Sequence, residues 1–335
     1  TAPPKPVDDD VDDGFTAPTP VSRGPRCPSC GAAGIEIVDG YCGICGMKQP
    51  APRDHMEAEA PAMAAVTDRG KRHFRNEDAF AMAVAGDGRV VAVVCDGVSS
   101  TVDPDAASQA AADAALGVLV GGGTLAAAYD AAREAVLRLT WVPDPRLGAP
   151  SCTFLAAIVD GAGIELATLG DCRSMWLPAD GEPQTLTVDD SWAAEQIASG
   201  AMTPEEAYAG PGAHVITRWL GADADPAWEV RPASFTAPGP GRLLLCSDGL
   251  WNYAETAAEV AAVAAPASTS TSASAGPPDD LLTTARRLVD FANEKGGSDN
   301  ITVVLVDLPL ATAPPSTLPP ATMPPATMPP AKGPA

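Results

Sequence analysis

From about residue 65 to residue 308 the chain switches between two hydrophobic rhythms. Short apolar runs at 90–95 ("VVAVVC"), 152–159 ("CTFLAAIV"), 173–177, 242–247 and 301–307 are bounded by turn residues. Runs of that length, rich in Val, Leu and Ile, read as strands, as do 79–85 and 163–169. Apolar residues spaced three and four apart predict helices over 104–120, 124–139, 191–199, 203–208, 255–264 and 279–294. "CTFLAAIVDGAGIELATLG" reads as two strands joined by a short Asp-Gly turn, hence antiparallel, and "SMWL" continues the meander. Antiparallel strands with helices between groups of them predict an α+β fold rather than a parallel doubly wound sheet.

The flanks lack both rhythms. Residues 1–26, with "PVDDDVDD" and several prolines, read as a disordered acidic segment. Residues 27–46 form a small cysteine-bearing unit and 47–64 read as a linker. The patterned domain spans 65–308, with a low-complexity surface loop at 264–278. Residues 309–335 repeat "PPAT" units and read as an extended, disordered Pro-rich tail.

Composition narrows the function classes. Hydrophobic residues make up 46% and aromatics 5%, so a large core is available and is built from Val, Leu, Ile and Ala. A net charge of −22, from 21 basic and 43 acidic residues, argues against nucleic acid or an anionic membrane as the main partner. No apolar run approaches the ~18 residues of a membrane span. Cys95, Cys152, Cys172 and Cys246 lie in apolar stretches, where cysteine acts as a small hydrophobe. That usage is no disulfide framework and points to the cytoplasm.

The other four cysteines are grouped. "CPSCGAAGIEIVDGYCGIC" holds two Cys-x2-Cys pairs eleven residues apart, each followed by glycine. Four thiolates from Cys27, Cys30, Cys42 and Cys45 suit one tetrahedral structural Zn²⁺; two disulfides or a redox-active pair are the competing readings. The intervening "GIEIVDGYC" reads as a hairpin, and the unit resembles a zinc ribbon. Metal would be the core of so small a unit. A site closed by four sulfurs implies no catalysis there, and its use would be docking to a protein partner.

Five acidic stretches share an odd placement. Asp96 and Asp248 each end an apolar strand and precede glycine; Glu77 and Asp78 precede a strand; Asp171 lies between two strands; Asp299 opens the last one. Singly, each reads as a turn or cap residue. Jointly they would converge on one edge of a sheet, which is costly unless cations neutralise them. Hard oxygen ligands suit Mg²⁺ or Mn²⁺, and Gly97 lets a backbone carbonyl approach the same ion.

In order along the chain, "TDRGKRHFRNEDAF", "VCDGVSS", "GAPSCTFLAAIV", "ATLGDCRSMWL", "LTVDDSWAAEQIASGAMTPEEA", "HVITRWLG", "LLLCSDGLWN" and "GGSDNITVVLVD" resemble the blocks of bacterial type 2C metal-dependent protein phosphatases. The resemblance implies an αββα sandwich of two antiparallel sheets. It implies two Mn²⁺ or Mg²⁺ ions at one end, and hydrolysis of phosphoserine and phosphothreonine in protein substrates by water activated between them. Carried over, Asp96 would bridge both ions, Asp248 and Asp299 would bind the first, and the Gly97 carbonyl and Glu77 would serve the second, with Asp78 adjacent. Asp171 and Asn300 would support the site, and 187–212 would form a flap beside the cleft. The family usually holds the substrate phosphate with an arginine five residues before the second acid of "ED". Here that position is His73, flanked by Arg72 and Arg75. A guanidinium fork and an imidazole are not equivalent. This departure favours a competing function class: a catalytically weak adaptor that binds partners through the ribbon and the Pro-rich tail.

Overall fold

A computed structural model describes residues 19–20, 27, 30–32, 35–38, 41–47, 51–210, 212–266 and 280–309. After a turn of 3-10 helix at Pro52–Asp54 come two hairpins, β1 (His55–Ala60) with β2 (Met63–Asp68), and β3 (Ala79–Val84) with β4 (Val90–Cys95). Helices α1 (Pro104–Val120) and α2 (Leu125–Leu137) precede a meander of β5 (Phe154–Asp160), β6 (Gly163–Leu169) and β7 (Arg173–Pro178). Short helices α3 (Trp192–Ala198) and α4 (Pro204–Tyr208) are followed by β8 (Arg231–Thr236) and β9 (Gly241–Cys246). The one-turn α5 (Asp248–Trp251), α6 (Ala257–Ala264) and α7 (Leu281–Lys295) lead into β10 (Ile301–Leu308).

Two antiparallel sheets result, one ordered β1-β2-β10-β9-β7 and the other β8-β6-β5-β4-β3. Side chains alternate across a strand, so a strand covered on both faces is apolar at every position. Val90, Ala92 and Val94 of β4 point between the sheets, where they meet Leu243, Leu245, Val304 and Val306. Val91, Val93 and Cys95 point outward onto the alanine face of α1 (Ala107, Ala111 and Ala115). On the other sheet Leu244, Cys246, Val303 and Leu305 pack against Leu250, Leu288 and Val289 of α5 and α7. The architecture is therefore the four-layer αββα sandwich. Each fully buried Val or Leu contributes about 1.5–3 kcal/mol, which fixes the strand ends and whatever they carry.

Register brings those ends together. Ala79 pairs with Cys95, Arg173 with Cys246, Cys246 with Val303, and Ile301 with Asp68. Leu169 pairs with Phe154 in the same sense. Residues 69–78, 96–97, 170–172, 247–248 and 299–300 consequently gather at one edge of the sandwich.

Every strand and helix anticipated from the sequence is present, with bounds agreeing to within two residues. The reading of 47–64 as a linker is corrected: it contains β1 and the start of β2. Ala and Glu disfavour strands, and "HMEAEA" is strand only because β2 pairs with it along its length. Buried Glu57 in β1 is held by the Arg286 guanidinium, at 2.8 and 2.6 Å. Within the segment read as disordered, Thr19–Pro20 adds a two-residue strand beside Glu59 and Ala58. The rest of that segment, most of the 264–278 loop and the Pro-rich tail beyond residue 309 lie outside the described residues. Among the described residues no helix is long and apolar enough to cross a membrane.

Candidate active site

Each acidic residue at this edge is set by its own strand. Asp96 follows β4, and its backbone is locked to Thr153: its N–H donates to Thr153 Oγ1 at 2.9 Å, and its carbonyl accepts the Thr153 N–H at 2.7 Å. Gly97 is required by crowding. A Cβ there would lie 2.6 Å from the Pro104 carbonyl oxygen and 2.7 Å from that of Glu77. Asp78 is fully buried, and its Oδ2 accepts hydrogen bonds from Ser247 Oγ and Thr302 Oγ1, both at 2.7 Å. Asp248 opens α5, where Asn252 Nδ2 donates to its Oδ2 at 3.0 Å. Asn300 ties the parts together: its Oδ1 accepts the Glu77 N–H at 2.7 Å, and its Nδ2 donates to the carbonyls of Arg69 and Arg75.

The cluster is electrostatically strained. Burial pushes the Asp78 carboxyl up to about 6, and burial together with the charge of Asp189 pushes Asp171 up to about 7. Asp96 and Asp248 are raised well above the usual carboxylate range, first by burial and then by one another's neighbours Asp78, Asp171 and Asp299. Asp299 is raised by burial, against the opposing pull of His73. Those mutual influences place Asp96, Asp248, Asp299, Asp78 and Asp171 in one electrostatic neighbourhood. Asp78 Oδ1 and Asp248 Oδ1 are buried with no hydrogen-bond partner, a state that ordinarily costs about 1–3 kcal/mol each. Orphaned carboxylate oxygens in a crowd of carboxylates are the donor chemistry of a hard divalent cation.

The basic residues divide. His73 bridges two acids, with Nε2 3.1 Å from Asp299 Oδ1 and Nδ1 3.8 Å from Glu77 Oε2. Arg75 turns inward to Glu77 Oε1 at 3.1 Å and to Asp105 at 3.2 Å. Arg72 is exposed and makes no hydrogen bond or ion pair with the described residues. Glu77 is further held by the Ser99 hydroxyl. Behind the site, the Trp251 indole donates to the Asp171 carbonyl at 2.9 Å, and the Arg173 guanidinium lies 3.7 Å over the Trp251 ring while paired to Asp189. Sequence reasoning missed Ser247, Thr302, Thr153 and Ser99. The serine of "CSDG" and the threonine of "NITVV" flank acids already singled out, and small hydroxyls beside buried acids were the available signal.

The cysteine unit is separate. One sulfur from each of Cys27, Cys30, Cys42 and Cys45 lies within 4.8 Å of the others, and Cys27 Sγ is 3.5 Å from Cys45 Sγ. None of the four is joined in a disulfide. Ile37–Val38 pairs with Tyr41–Cys42 as the anticipated hairpin, and Gly31 and Gly46 adopt φ of +71° and +69° after each pair. Among the described residues this is the only group of donor atoms drawn together that tightly; the carboxylates are spaced more widely.

Comparison with known proteins agrees with this geometry. A family model described as protein phosphatase 2C matches residues 69–285. The serine/threonine protein phosphatase PstP of Mycobacterium tuberculosis is 33% identical over 251 residues, covering 73% of this chain. This chain spans 44% of that relative's length. The serine/threonine phosphatase stp of Listeria welshimeri is 28% identical over 273 residues, covering 72% of this chain and 93% of its own length. A crystal structure of the catalytic domain of PstP in complex with two manganese ions superposes with a TM-score of 0.54 at 27% identity, covering 73% of this chain and 96% of that one. The chain belongs to the protein phosphatase 2C family.

Proposed function

We propose that the chain is a metal-dependent phosphatase of phosphoserine and phosphothreonine in proteins. The supporting observation is the pair of buried, unpartnered oxygens, Asp78 Oδ1 and Asp248 Oδ1, within a ring of mutually destabilised carboxylates. The catalytic domain of PstP is described with two manganese ions, and the donors here suit the same kind of ion. Asp96, Asp248, Asp299, Glu77, Asp78 and the Gly97 carbonyl would hold two Mn²⁺ or Mg²⁺. Such ions, when bound, activate water for attack on phosphorus and neutralise charge on the phosphoryl oxygens.

The chain's own residues do the rest. Ser247 and Thr302 fix the Asp78 carboxylate so that its second oxygen faces the cluster. Asn300 and Asp171 support the acids from behind. Arg72, His73 and Arg75 would meet the substrate phosphate, with Arg72 uncommitted to any acid among the described residues. The flap at 187–212 carries α3 and α4, packed through Ala193, Ala207 and Trp192, beside the Asp189–Arg173 pair. In the cysteine unit, Cys27, Cys30, Cys42 and Cys45 would hold one structural Zn²⁺ and offer a docking module to a protein partner.

The purified 335-residue chain should hydrolyse p-nitrophenyl phosphate and a phosphothreonine peptide only with added manganese, and Asp96→Asn should abolish both. Absence of turnover on either compound, with manganese bound, would favour the adaptor reading.

A further inference from the structure

Arg53 lies upstream of the residues that the phosphatase 2C family model matches, in the 3-10 turn between the cysteine unit and β1. Its guanidinium nonetheless reaches the main chain of the catalytic segment. Nε donates to the Asn76 carbonyl at 3.0 Å, and Nη2 donates to the Asp78 carbonyl, also at 3.0 Å. The same Nη2 reaches the Asp105 carbonyl at 3.0 Å and Ser108 Oγ at 3.3 Å, while Nη1 donates to Gln109 Oε1 at 2.7 Å. Ser108 Oγ in turn donates to the Glu77 carbonyl, which also accepts the Gly97 N–H at 3.2 Å. All three carbonyls of Asn76-Glu77-Asp78 are thus held from the side of α1. Next to Arg53, Asp54 Oδ1 accepts the Asn76 N–H at 3.3 Å, and the Asp54 carbonyl accepts the Arg69 N–H at 2.7 Å.

Glu77 and Asp78 are consecutive, yet their side chains serve different surroundings. Glu77 faces His73, Arg75 and Ser99, and Asp78 faces Ser247 and Thr302. A backbone fixed at every carbonyl is what keeps those directions apart. A planar fork with five N–H donors can grip two carbonyls and the first turn of α1 together; an ammonium cannot.

We propose that Arg53 is a positioning residue for the catalytic carboxylates, so that the segment following the cysteine unit is a working part of the active site. The inference rests on reading Glu77 and Asp78 as metal-binding acids. Arg53 itself touches neither ion nor substrate and acts through the main chain.

The test uses the full 335-residue chain: wild type, Arg53→Ala, Arg53→Lys and, for comparison, Arg242→Ala. Arg242 is a second partly buried arginine, bonded to Asp307 at 2.9 Å and Thr284 at 2.8 Å, at the opposite end of the sheet. Thermal melts are recorded first. Manganese titration calorimetry and p-nitrophenyl phosphate kinetics follow, at a temperature where each variant is folded. Both Arg53 variants should bind manganese about 10- to 100-fold more weakly and lose kcat with KM little changed, the usual scale for residues that orient metal ligands. Arg242→Ala should lower Tm alone. Wild-type manganese affinity and kcat in a folded Arg53 variant, whatever its Tm, overturns the proposal. If Arg53→Ala fails to fold, Arg53→Lys decides. A wild-type chain that binds no manganese overturns the phosphatase reading, and this inference with it.

Discussion

Gly249→Ala adds one methyl group at the point where α5 meets the start of β10. Its Cβ would lie 1.9 Å from the Asn300 carbonyl oxygen, 2.8 Å from the carbonyl carbon and 3.2 Å from Ile301 Cα. Non-bonded carbon and oxygen approach to about 3.3 Å, so the strand start must retreat by roughly 1.4 Å. All three obstructing atoms are backbone, and no side chain can swing aside. Overpacking costs typically about 1–3 kcal/mol, and the upper end applies here. Asn300 holds the Glu77 N–H and Asp299 is its neighbour, so the shift passes into the site. A misplacement of about 1 Å can lower kcat/KM by about 100-fold. The assay pairs urea melts with manganese-dependent hydrolysis of p-nitrophenyl phosphate. Gly239→Ala serves as control, because nothing lies within 4 Å of its Cβ, and it should change stability by less than about 0.5 kcal/mol. If Gly249→Ala matched wild type in both stability and kcat/KM, the close approach of α5 to β10 would be refuted.

Chelator-treated protein should be less stable at high pH. Burial raises Asp78 to about 6 and Asp171 to about 7, above the ordinary 3.8, so the folded state binds protons more tightly than the unfolded one. That stabilisation is complete below about pH 4 and is lost as pH rises through 6 and 7; calorimetry in EDTA should show Tm falling over that interval, and added manganese should reverse the fall. Thr302→Val removes a donor to Asp78 Oδ2 and a hydroxyl contact with Thr67 at 2.7 Å; a loss of about 1–3 kcal/mol is expected in urea melts, and an unchanged midpoint would contradict it. Cys42→Ser takes one sulfur from a four-sulfur set, so elemental analysis should show zinc falling from about one equivalent toward none while the main melting transition stays put.

Strands covered on both faces were easy to read, because β4 is apolar at every position, β9 and β10 carry unbroken apolar runs at 243–246 and 303–306, and their bounding turns carry the acids. The candidate site was legible for the same reason: each acid stands where an apolar run stops or starts. β1 was not, since its alanines and glutamates carry no strand signature and its pairing with β2 is supplied by the fold. β8 was missed too. Its "RPASFT" is largely exposed, carries a proline at its second position and lies on an edge, where packing adds little to propensity. Arg53 was hidden for a different reason. A lone arginine in a polar stretch says nothing of which carbonyls it will meet, because its partners lie 23 to 56 residues away along the chain.

Strand β10 enters the sandwich at the carboxylates and leaves it at Leu308, which pairs with Gly241 at the other pole. The carboxylates and Leu308 thus stand at opposite ends of one strand. A fluorescent reporter or affinity handle attached at that pole would leave the carboxylate edge open, whereas one spliced into residues 69–76 would crowd it.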